Sequence, residues 1–215
     1  GDFFKVYVDP SELSYHSFEN ILELDQLLQP EVAKFEENTS KTNLELGIFK
    51  FTLPLSQVSA LLKLHELDLY TLPFNNQSRG GKRMIFSSVS LAQYLTQCLK
   101  NMIEDPEFSH VNSVFRLNSF VPGERKFISH YDTPFADKQR NLYSKQTLLI
   151  YLTSGSNSQG TLSFGNYEIQ SLDAGECIVF PQSLEHEGNP YEDSEKIFLR
   201  TELIYRTTSV HYDEK

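Results

Sequence analysis

The sequence predicts an α+β fold in which supporting helices come first and a sandwich or jelly-roll barrel of short strands follows. In the first half, apolar residues recur at helical spacing in three segments. In the second half, short runs of β-branched and aromatic residues alternate with turn residues, the pattern of sandwiches and jelly rolls. The 215 residues, of which 39% are hydrophobic, are enough to bury one substantial core.

Three helices are predicted in the first half of the chain. The first covers residues 17–28, with Ser17 as a candidate N-cap, the second covers residues 55–67, and the third covers residues 88–104. Residues 45–53 lie between the first two helices and are predicted as a strand.

The second half is predicted to be a series of strands separated by turns. Gly165 and Asn166 form a hairpin signal between two of the strands. The polar stretch 133–145 is long enough to be a loop that covers a site. The predicted strands lie near residues 112–121, 126–131, 146–153, 160–164, 167–172, 176–180 and 196–206.

Composition and charge narrow the range of partners. The chain has 19 Lys and Arg against 29 Asp and Glu, a net charge of -10, so neither nucleic acid nor an anionic membrane is an expected partner. No apolar run approaches membrane-spanning length and the N-terminus is not a signal peptide, so a cytoplasmic location is expected. Cys98 and Cys177 are too few for a disulfide framework or a thiolate zinc site, although one bridge between them stays open.

A candidate metal site begins at the end of one predicted strand. His130 and Asp132 are two residues apart, so in a strand both side chains point to the same face, roughly 7 Å apart. His186 follows the predicted strand 176–180 and could supply a third ligand. Two imidazoles and one carboxylate form the facial triad of non-haem Fe(II) oxygenases. Taken singly, each of these residues is as well explained as a surface or turn residue.

The last predicted strand carries two cations on one face. Lys196, Arg200 and Glu202 share that face with Phe198, while the apolar residues between them occupy the other face. If the charged face lines a barrel, its buried cations need an anion such as a dicarboxylate. If it faces outward, the strand is simply amphipathic. The periodicity leaves both alternatives open.

Together, the segments resemble the prolyl-4-hydroxylase-like branch of the 2-oxoglutarate/Fe(II)-dependent dioxygenases, over roughly residues 112–206. The order and spacing of six segments carry the resemblance, and a basic residue and a final strand follow them. These segments are residues 120–123, 127–132, 147–152, 160–164, 174–180 and 186–188, followed by Lys196 and residues 199–205.

The resemblance implies a double-stranded β-helix core supported by N-terminal helices. It implies one catalytic domain over residues 1–215, with mainly helical support in residues 1–111 and the core in residues 112–206. The cofactors it implies are Fe(II), 2-oxoglutarate and O2, with ascorbate as a candidate addition. The residues it implies as ligands of Fe(II) are His130, Asp132 and His186.

The resemblance also implies residues that bind 2-oxoglutarate. Lys196 matches the family position that pairs with the distal carboxylate, and Tyr151 matches a position that often hydrogen-bonds the same group. Arg200 resembles, in its position, a second basic residue that some relatives have near the proximal carboxylate or the substrate. The sequence departs from the family pattern at Phe120, where a tyrosine is common, which puts a proline substrate in doubt.

Three functions are consistent with these patterns. The leading expectation is hydroxylation of an unactivated C–H bond in a peptidyl residue such as proline. The alternatives are a hydroxylase of a free amino acid or other small molecule, and a non-catalytic, cupin-like metal-binding barrel. Two segments with basic residues, 75–83 and 135–140, are candidates for substrate contact and hint at an acidic substrate, although solvated loops explain them equally well.

Overall fold

The computed structural model of the chain describes residues 40–72, 77 and 79–207. The predicted helix at residues 17–28 lies outside the described residues. The described helices are α1 (Leu55–Glu66) and α2 (Val89–Lys100). The strands of the first half are β1 (Thr42–Asn43), β2 (Phe49–Thr52), β3 (Lys82–Ser87) and β4 (Phe108–Val111).

The strands of the second half begin at residue 114. They are β5 (Val114–Phe120), β6 (Phe127–His130), β7 (Ala136–Asp137), β8 (Leu142–Tyr151), β9 (Gly155–Ser156), β10 (Leu162–Phe164), β11 (Tyr167–Ile169), β12 (Ser171–Leu172), β13 (Glu176–Pro181), β14 (His186–Gly188) and β15 (Lys196–Arg206).

Two antiparallel sheets form the core of the described residues. The major sheet has the order β1-β2-β13-β8-β15-β5-β3, with β4 added to β15 and β7 added to β8. The minor sheet has the order β11-β10-β14-β6, and β9 pairs with β12 separately. Because neighbours in the sheets are mostly distant in sequence, long connections cross between the two sheets, as in a jelly roll.

One apolar layer joins the two helices to the major sheet. Side chains from α1 and α2 pack against the outward faces of β2, β3, β5, β8, β13 and β15. Burial of this face stabilises both elements, since neither an amphipathic helix nor a one-sided sheet can bury its apolar face alone. Representative members are Val58, Leu61, Leu91, Leu95, Phe86, Leu117, Ile150, Val179 and Leu199.

A second, smaller apolar layer lies on the other face of the major sheet, toward the minor sheet. Its members include Leu149, Tyr151, Leu162, Phe164, Ile178 and Phe180. On β8 the residues alternate between the layers, because successive side chains of a strand point to opposite faces. Leu148 and Ile150 therefore contact the helix layer, whereas Leu149 and Tyr151 face the minor sheet.

Both helices predicted in the described region are confirmed, but α2 ends earlier than predicted. Ser88 is the N-cap of α2, and its side-chain oxygen accepts a hydrogen bond from the Leu91 backbone N–H at 3.2 Å. The helix ends at Lys100, four residues before the predicted end. Pro54 precedes α1 and provides no side-chain cap.

Several elements differ from the sequence prediction. The prediction assigned no strand to β3, β4 or β14, and β3 is almost entirely buried. Within the stretch 133–145, predicted as a loop, β7 pairs with the start of β8. This hairpin buries Phe135, so the stretch is anchored to the sheet. Cys98 and Cys177 are both free and buried, so they do not form a disulfide bridge with each other.

Within the described residues, neither helix has the length and apolarity needed to span a bilayer.

Candidate metal centre

Two neighbouring strands of the minor sheet bring the two predicted histidine ligands together. His130 ends β6 and His186 begins β14, and the two residues are directly paired across the antiparallel ladder. Their ring centroids lie 4.4 Å apart. The sequence separates them by more than fifty residues, but the strand pairing fixes them as immediate neighbours.

Asp132 completes the cluster. Its Oδ1 atom lies 3.4 Å from His130 Nε2 and 3.4 Å from His186 Nε2. One potential ligand atom from each of the three residues lies within 4.8 Å of the other two. Three donors from two imidazoles and one carboxylate therefore converge on one point, which is the donor set of the facial triad.

Backbone carbonyl groups orient both imidazole rings. The Nδ1 atom of His130 lies 2.6 Å from the Ile128 carbonyl oxygen, and that of His186 lies 3.2 Å from the Leu184 carbonyl oxygen. When Nδ1–H donates to the carbonyl, Nε2 carries the lone pair. In this tautomer both Nε2 atoms lie beside Asp132 Oδ1 with a free lone pair, as a metal ligand requires.

The Asp132 carboxylate is held as an anion in a buried position. Its side chain is only 4% exposed, and the Thr147 hydroxyl donates a hydrogen bond to Oδ2 at 2.6 Å. Burial by itself raises the pKa of Asp132, but the positive charge of Arg200 and the neighbouring imidazoles of His130 and His186 outweigh it. The pKa of this carboxyl therefore lies well below its usual value, and the group is ionised at neutral pH.

A cavity of about 280 Å³ adjoins the three residues. It lies on the inner face of the major sheet and includes Tyr151, Lys196 and Arg200 in its wall. The structure thus brings every residue predicted for the site to one cavity, and the charged face of β15 points inward. The apolar face of β15 is buried as well, against the helices, so this strand has no solvated side.

Lys196 is a buried cation with only neutral partners. The residue is 3% exposed, and Nζ donates hydrogen bonds to the carbonyl oxygens of Thr161 (2.7 Å) and Asn189 (2.8 Å). The rings of Tyr151 and Phe198 lie 5.8 and 5.5 Å from Nζ. Among the described residues, no carboxylate forms a salt bridge with Lys196. Burial lowers its pKa to about 7.

Arg200 lies between the candidate ligands and a second buried carboxylate. Its Nε atom is 3.5 Å from Asp132 Oδ2, and its terminal nitrogen is 3.3 Å from Glu202 Oε1. Arg116 and Asn112 also donate hydrogen bonds to Glu202. The Nε atom and this terminal nitrogen of Arg200 are buried and make no hydrogen bond. Asn112 and Arg116 were not recognised from the sequence, because neither belongs to a motif.

The two basic segments predicted to contact substrate behave differently. In the segment 75–83, of which residues 77 and 79–83 are described, Arg79 and Arg83 are buried in the cavity wall. Residues 135–140 do not line the cavity. Arg140 is exposed and pairs with Asp137 at 3.5 Å. The solvated-loop alternative is therefore wrong for the two arginines of the first segment. The second segment, which includes strand β7, lies outside the cavity wall.

Solved structures with the same fold are known. The chain matches the viral collagen prolyl hydroxylase vCPH of Paramecium bursaria Chlorella virus-1 in its 2OG complex, with a TM-score of 0.52 and 18% identity, over 74% of this chain and 96% of that one. It matches a Trichoplax adhaerens prolyl hydroxylase, in complex with a hypoxia inducible factor peptide fragment, with a TM-score of 0.50 and 16% identity, over 87% and 93%.

A third structure extends the range of activities among proteins of this fold. SnoK, a non-heme alpha-ketoglutarate-dependent carbocyclase from nogalamycin biosynthesis, matches with a TM-score of 0.53 and 12% identity, over 78% of this chain and 84% of that one. Together with the sheet topology, these likenesses confirm the predicted α+β fold with a double-stranded β-helix core. At such identities they establish the fold alone.

Sequence comparisons add little. Residues 1–26 match the model of a domain of unknown function, DUF8236. The comparison with curated proteins found no matching sequence.

Proposed function

We propose that the protein is an Fe(II)- and 2-oxoglutarate-dependent oxygenase that hydroxylates an unactivated C–H bond of a peptidyl residue such as proline. The observation that carries this proposal is the combination of His130, Asp132 and His186 around one point with the buried cation Lys196 in the same cavity. Metal binding accounts for the first group, and a dicarboxylate accounts for the second.

The three candidate ligands fit a divalent iron ion. Imidazole nitrogens and a carboxylate suit Fe(II), and three protein ligands leave positions for a cosubstrate and O2. The ionised Asp132 offers an anion, and the carbonyl bonds of both histidines keep their Nε2 atoms available. Asp132, which is buried among cations and imidazoles, gains a counter-charge when the metal binds.

The far wall of the cavity fits the distal carboxylate of 2-oxoglutarate. Lys196 has donors but no anionic partner among the described residues, and a carboxylate would form charge-assisted hydrogen bonds with its Nζ atom. Tyr151 is 1% exposed and lines the same cavity, so its hydroxyl can bind that carboxylate too. Arg200, beside Asp132, is in place for the proximal carboxylate or the substrate.

The bound metal and 2-oxoglutarate supply the oxidation of a C–H bond by O2, in which 2-oxoglutarate is converted to succinate and CO2. The chain positions these groups and excludes water. Thr147 and Arg200 hold the Asp132 carboxylate. The rings of Phe164 and Phe180 pack beside His186 and form an apolar wall. The proposal treats residues 1–215 as one catalytic domain. It also includes ascorbate as a candidate reductant.

A wider cleft supports a peptidyl substrate. This cleft of about 1160 Å³ also reaches Tyr131 and Asp132 and runs past Gln182 and Tyr205. A peptide needs an open groove near the metal centre, and this cleft shares Tyr131 and Asp132 with the cavity that holds the candidate ligands. The Trichoplax neighbour holds a peptide fragment on the same fold, which makes a peptide the first substrate class to test.

The alternative of a small-molecule hydroxylase rests on the smaller cavity beside the candidate ligands. Its volume of about 280 Å³ lies at the small end of ligand sites and must accommodate 2-oxoglutarate as well. Little space is left in it for more than one side chain or a molecule of similar size. SnoK is a neighbour from the biosynthesis of a small molecule.

The proposal is tested by measuring conversion of 2-oxoglutarate to succinate with added Fe(II), together with metal binding by equilibrium dialysis. We expect Asp132→Ala to lower turnover by at least ~100-fold and to weaken metal binding, because one of three ligands is lost. The matched control is Asp173→Ala, which removes an exposed carboxylate outside the cavity and should keep wild-type turnover.

Two outcomes would contradict the proposal. Wild-type protein that binds metal but forms no succinate would favour the non-catalytic, cupin-like barrel. Full turnover in the Asp132→Ala variant would show that this carboxylate is not a ligand.

A further inference from the structure

A series of hydrogen bonds leads from the wall of the wide cleft to the candidate ligand Asp132. Ser144 and Gln182 line that cleft. The Ser144 hydroxyl donates to Gln182 Oε1 at 2.5 Å, and Gln182 Nε2 donates to Thr147 Oγ1 at 3.4 Å. The Thr147 hydroxyl in turn donates to Asp132 Oδ2 at 2.6 Å. We call Ser144, Gln182 and Thr147 the Gln182 bridge.

The donors of the Gln182 bridge all point toward Asp132. An ionised carboxylate only accepts hydrogen bonds, so the single hydroxyl proton of Thr147 goes to Oδ2. Thr147 can then only accept from Gln182, which places the amide nitrogen of Gln182 on that side. The amide oxygen therefore faces Ser144, whose own oxygen accepts from the Phe135 backbone N–H at 2.8 Å. The charge of Asp132 thus fixes the orientation of the Gln182 amide, and aligned bonds of this kind polarise one another.

Backbone hydrogen bonds hold the residues of the bridge in place. Gln182 directly follows β13, and its N–H donates to the Lys145 carbonyl oxygen of β8 at 2.9 Å. The Ser144 N–H donates to the Phe135 carbonyl oxygen, also at 2.9 Å. Thr147 is 0% exposed and Gln182 9% exposed. The bond between them therefore lies in a largely desolvated environment, where a hydrogen bond is electrostatically stronger than in water.

The two oxygen atoms of Asp132 have different surroundings. Oδ1 lies 3.4 Å from the Nε2 atoms of His130 and His186, so it is the oxygen placed for a metal ion. Within the described part of the chain, Thr147 makes the one hydrogen bond to Oδ2. Arg200 Nε lies 3.5 Å from Oδ2 and makes no hydrogen bond. The orientation of the carboxylate group therefore depends on Thr147.

We propose that Gln182 is a positioning residue of the metal centre, which acts through Thr147 to hold Asp132 with Oδ1 toward the ion. This inference rests on the proposed function and adds to it a residue that lies outside the cavity of about 280 Å³. Groups that orient a metal ligand from behind typically change metal affinity 10–100-fold when they are removed. A glutamine that only satisfied its own hydrogen bonds would affect stability and leave metal affinity unchanged.

The test uses Co(II) as the probe, since imidazole and carboxylate ligands bind it as they bind other divalent ions of the first transition row. Equilibrium dialysis measures its affinity, and its visible absorption bands depend on the geometry of its ligands. Gln182→Met keeps the length of the side chain and removes the N–H donor. Gln182→Asn keeps the amide but is shorter by one carbon–carbon bond, ~1.5 Å. We expect each variant to weaken Co(II) binding by ~10-fold and to shift the absorption bands.

A double-mutant cycle shows whether Gln182 acts through Thr147. Thr147→Val removes the hydroxyl group at nearly constant shape and should weaken Co(II) binding by ~10-fold or more. Thr147→Ser keeps a hydroxyl group and should restore most of the affinity. In the Thr147→Val background the bridge is already broken, so Gln182→Met should change the affinity by less than ~2-fold further.

The matched control is Gln146→Met, the same substitution at another glutamine of the wide cleft, whose amide oxygen accepts from the Tyr205 hydroxyl instead. This variant should keep the wild-type Co(II) affinity and absorption. Urea unfolding of the metal-free proteins shows that each variant is folded.

Wild-type Co(II) affinity in both Gln182 variants overturns the inference. A full loss of affinity from Gln182→Met in the Thr147→Val background also overturns it, because Gln182 would then act by another route. An equal loss in Gln146→Met has the same meaning, since the effect would not be specific to the bridge. Failure of the proposed function is distinguishable from these results, because the wild-type protein itself would then bind no Co(II).

Discussion

At the scale of single residues, Lys196 is a buried ammonium group that has no anionic partner among the described residues. A buried ammonium group is expensive unless it is paired, and its neutral carbonyl partners replace only part of its hydration. Without a ligand, the group responds by losing its charge more easily, and its pKa falls to about 7. A dicarboxylate ligand would reverse this shift.

We predict that Lys196→Met weakens binding of 2-oxoglutarate by roughly 30-fold or more, because loss of one partner of a buried charge pair costs about 2 kcal/mol or more. The free energy of unfolding should stay the same or increase, since an apolar side chain of similar length replaces a buried charge. Calorimetric titration and urea unfolding measure the two quantities. Lys50→Met, at a half-buried position of β2 outside the cavity, serves as the control and should keep full affinity.

Binding of 2-oxoglutarate should also depend on pH through Lys196. Below pH 7 the amine of the free protein is already charged, so affinity is highest there. As pH rises above about 7, the amine must take up a proton when the anion binds, and affinity should fall by up to about tenfold per unit. Tyr151 and Tyr191, whose rings face Nζ, remain neutral because burial raises their pKa values.

Titrations at several pH values, in buffers with different heats of ionisation, would show this proton uptake. A pH-independent affinity in the wild-type protein would contradict the assignment. The Lys196→Met variant should show weak binding without proton uptake, which separates this effect from titration of the metal ligands.

Sequence patterns identified the triad and Lys196 more readily than their surroundings. The spacing of His130 and Asp132 predicts a shared face from strand geometry alone, but His186 was placed beside them by the order of the segments. Arg116 and Glu202 could not be assigned, because their pairing depends on the register between β5 and β15. Such register is set by contacts between distant parts of the chain.

At the scale of secondary structure, β15 shows why periodicity left two alternatives. Alternation separates two faces, but it does not say whether polar residues face water or a polar cavity. In the structure β15 is internal to the major sheet, and both faces are buried. β3 was missed for a related reason, since its Lys82 and Arg83 resemble the end of a solvated loop.

Helix α2 supplies a test of local structure. Its N-cap Ser88 is fully buried, and we predict that Ser88→Ala lowers the free energy of unfolding by about 1 kcal/mol through loss of the cap hydrogen bond. The midpoint of urea unfolding measures this change. Ser56→Ala, in the exposed first turn of α1, is the control and should shift stability by less than about 0.5 kcal/mol. Equal effects in both variants would argue against a specific cap.

At the scale of the whole molecule, the jelly roll divides its burial between two apolar layers with different roles. The helix layer stabilises the major sheet from outside, and the layer between the sheets surrounds the cavity. Because residues of both sheets line the cavity, a ligand bound there should stabilise the folded protein as a unit.

We predict that Fe(II) and 2-oxoglutarate, added together without oxygen, raise the thermal unfolding midpoint. At a hundred times the dissociation constant, one ligand adds about 2.7 kcal/mol, which corresponds to roughly 5–10 °C for a chain of this size. Removal of the metal with a chelator should reverse the increase. His186→Ala should lose most of the shift, and an undiminished shift in that variant would place metal binding elsewhere.

The three candidate ligands differ in how firmly the fold retains them. Among the described strands, β6 lies at the edge of the minor sheet and pairs only with β14. The His130 side chain is 22% exposed, against 7% for His186 and 4% for Asp132. Fraying of an edge strand requires less free energy than opening of the interior. Exchange of the ion with solvent should therefore start by detachment of His130, so the stability of β6, rather than global unfolding, would set how long the ion stays.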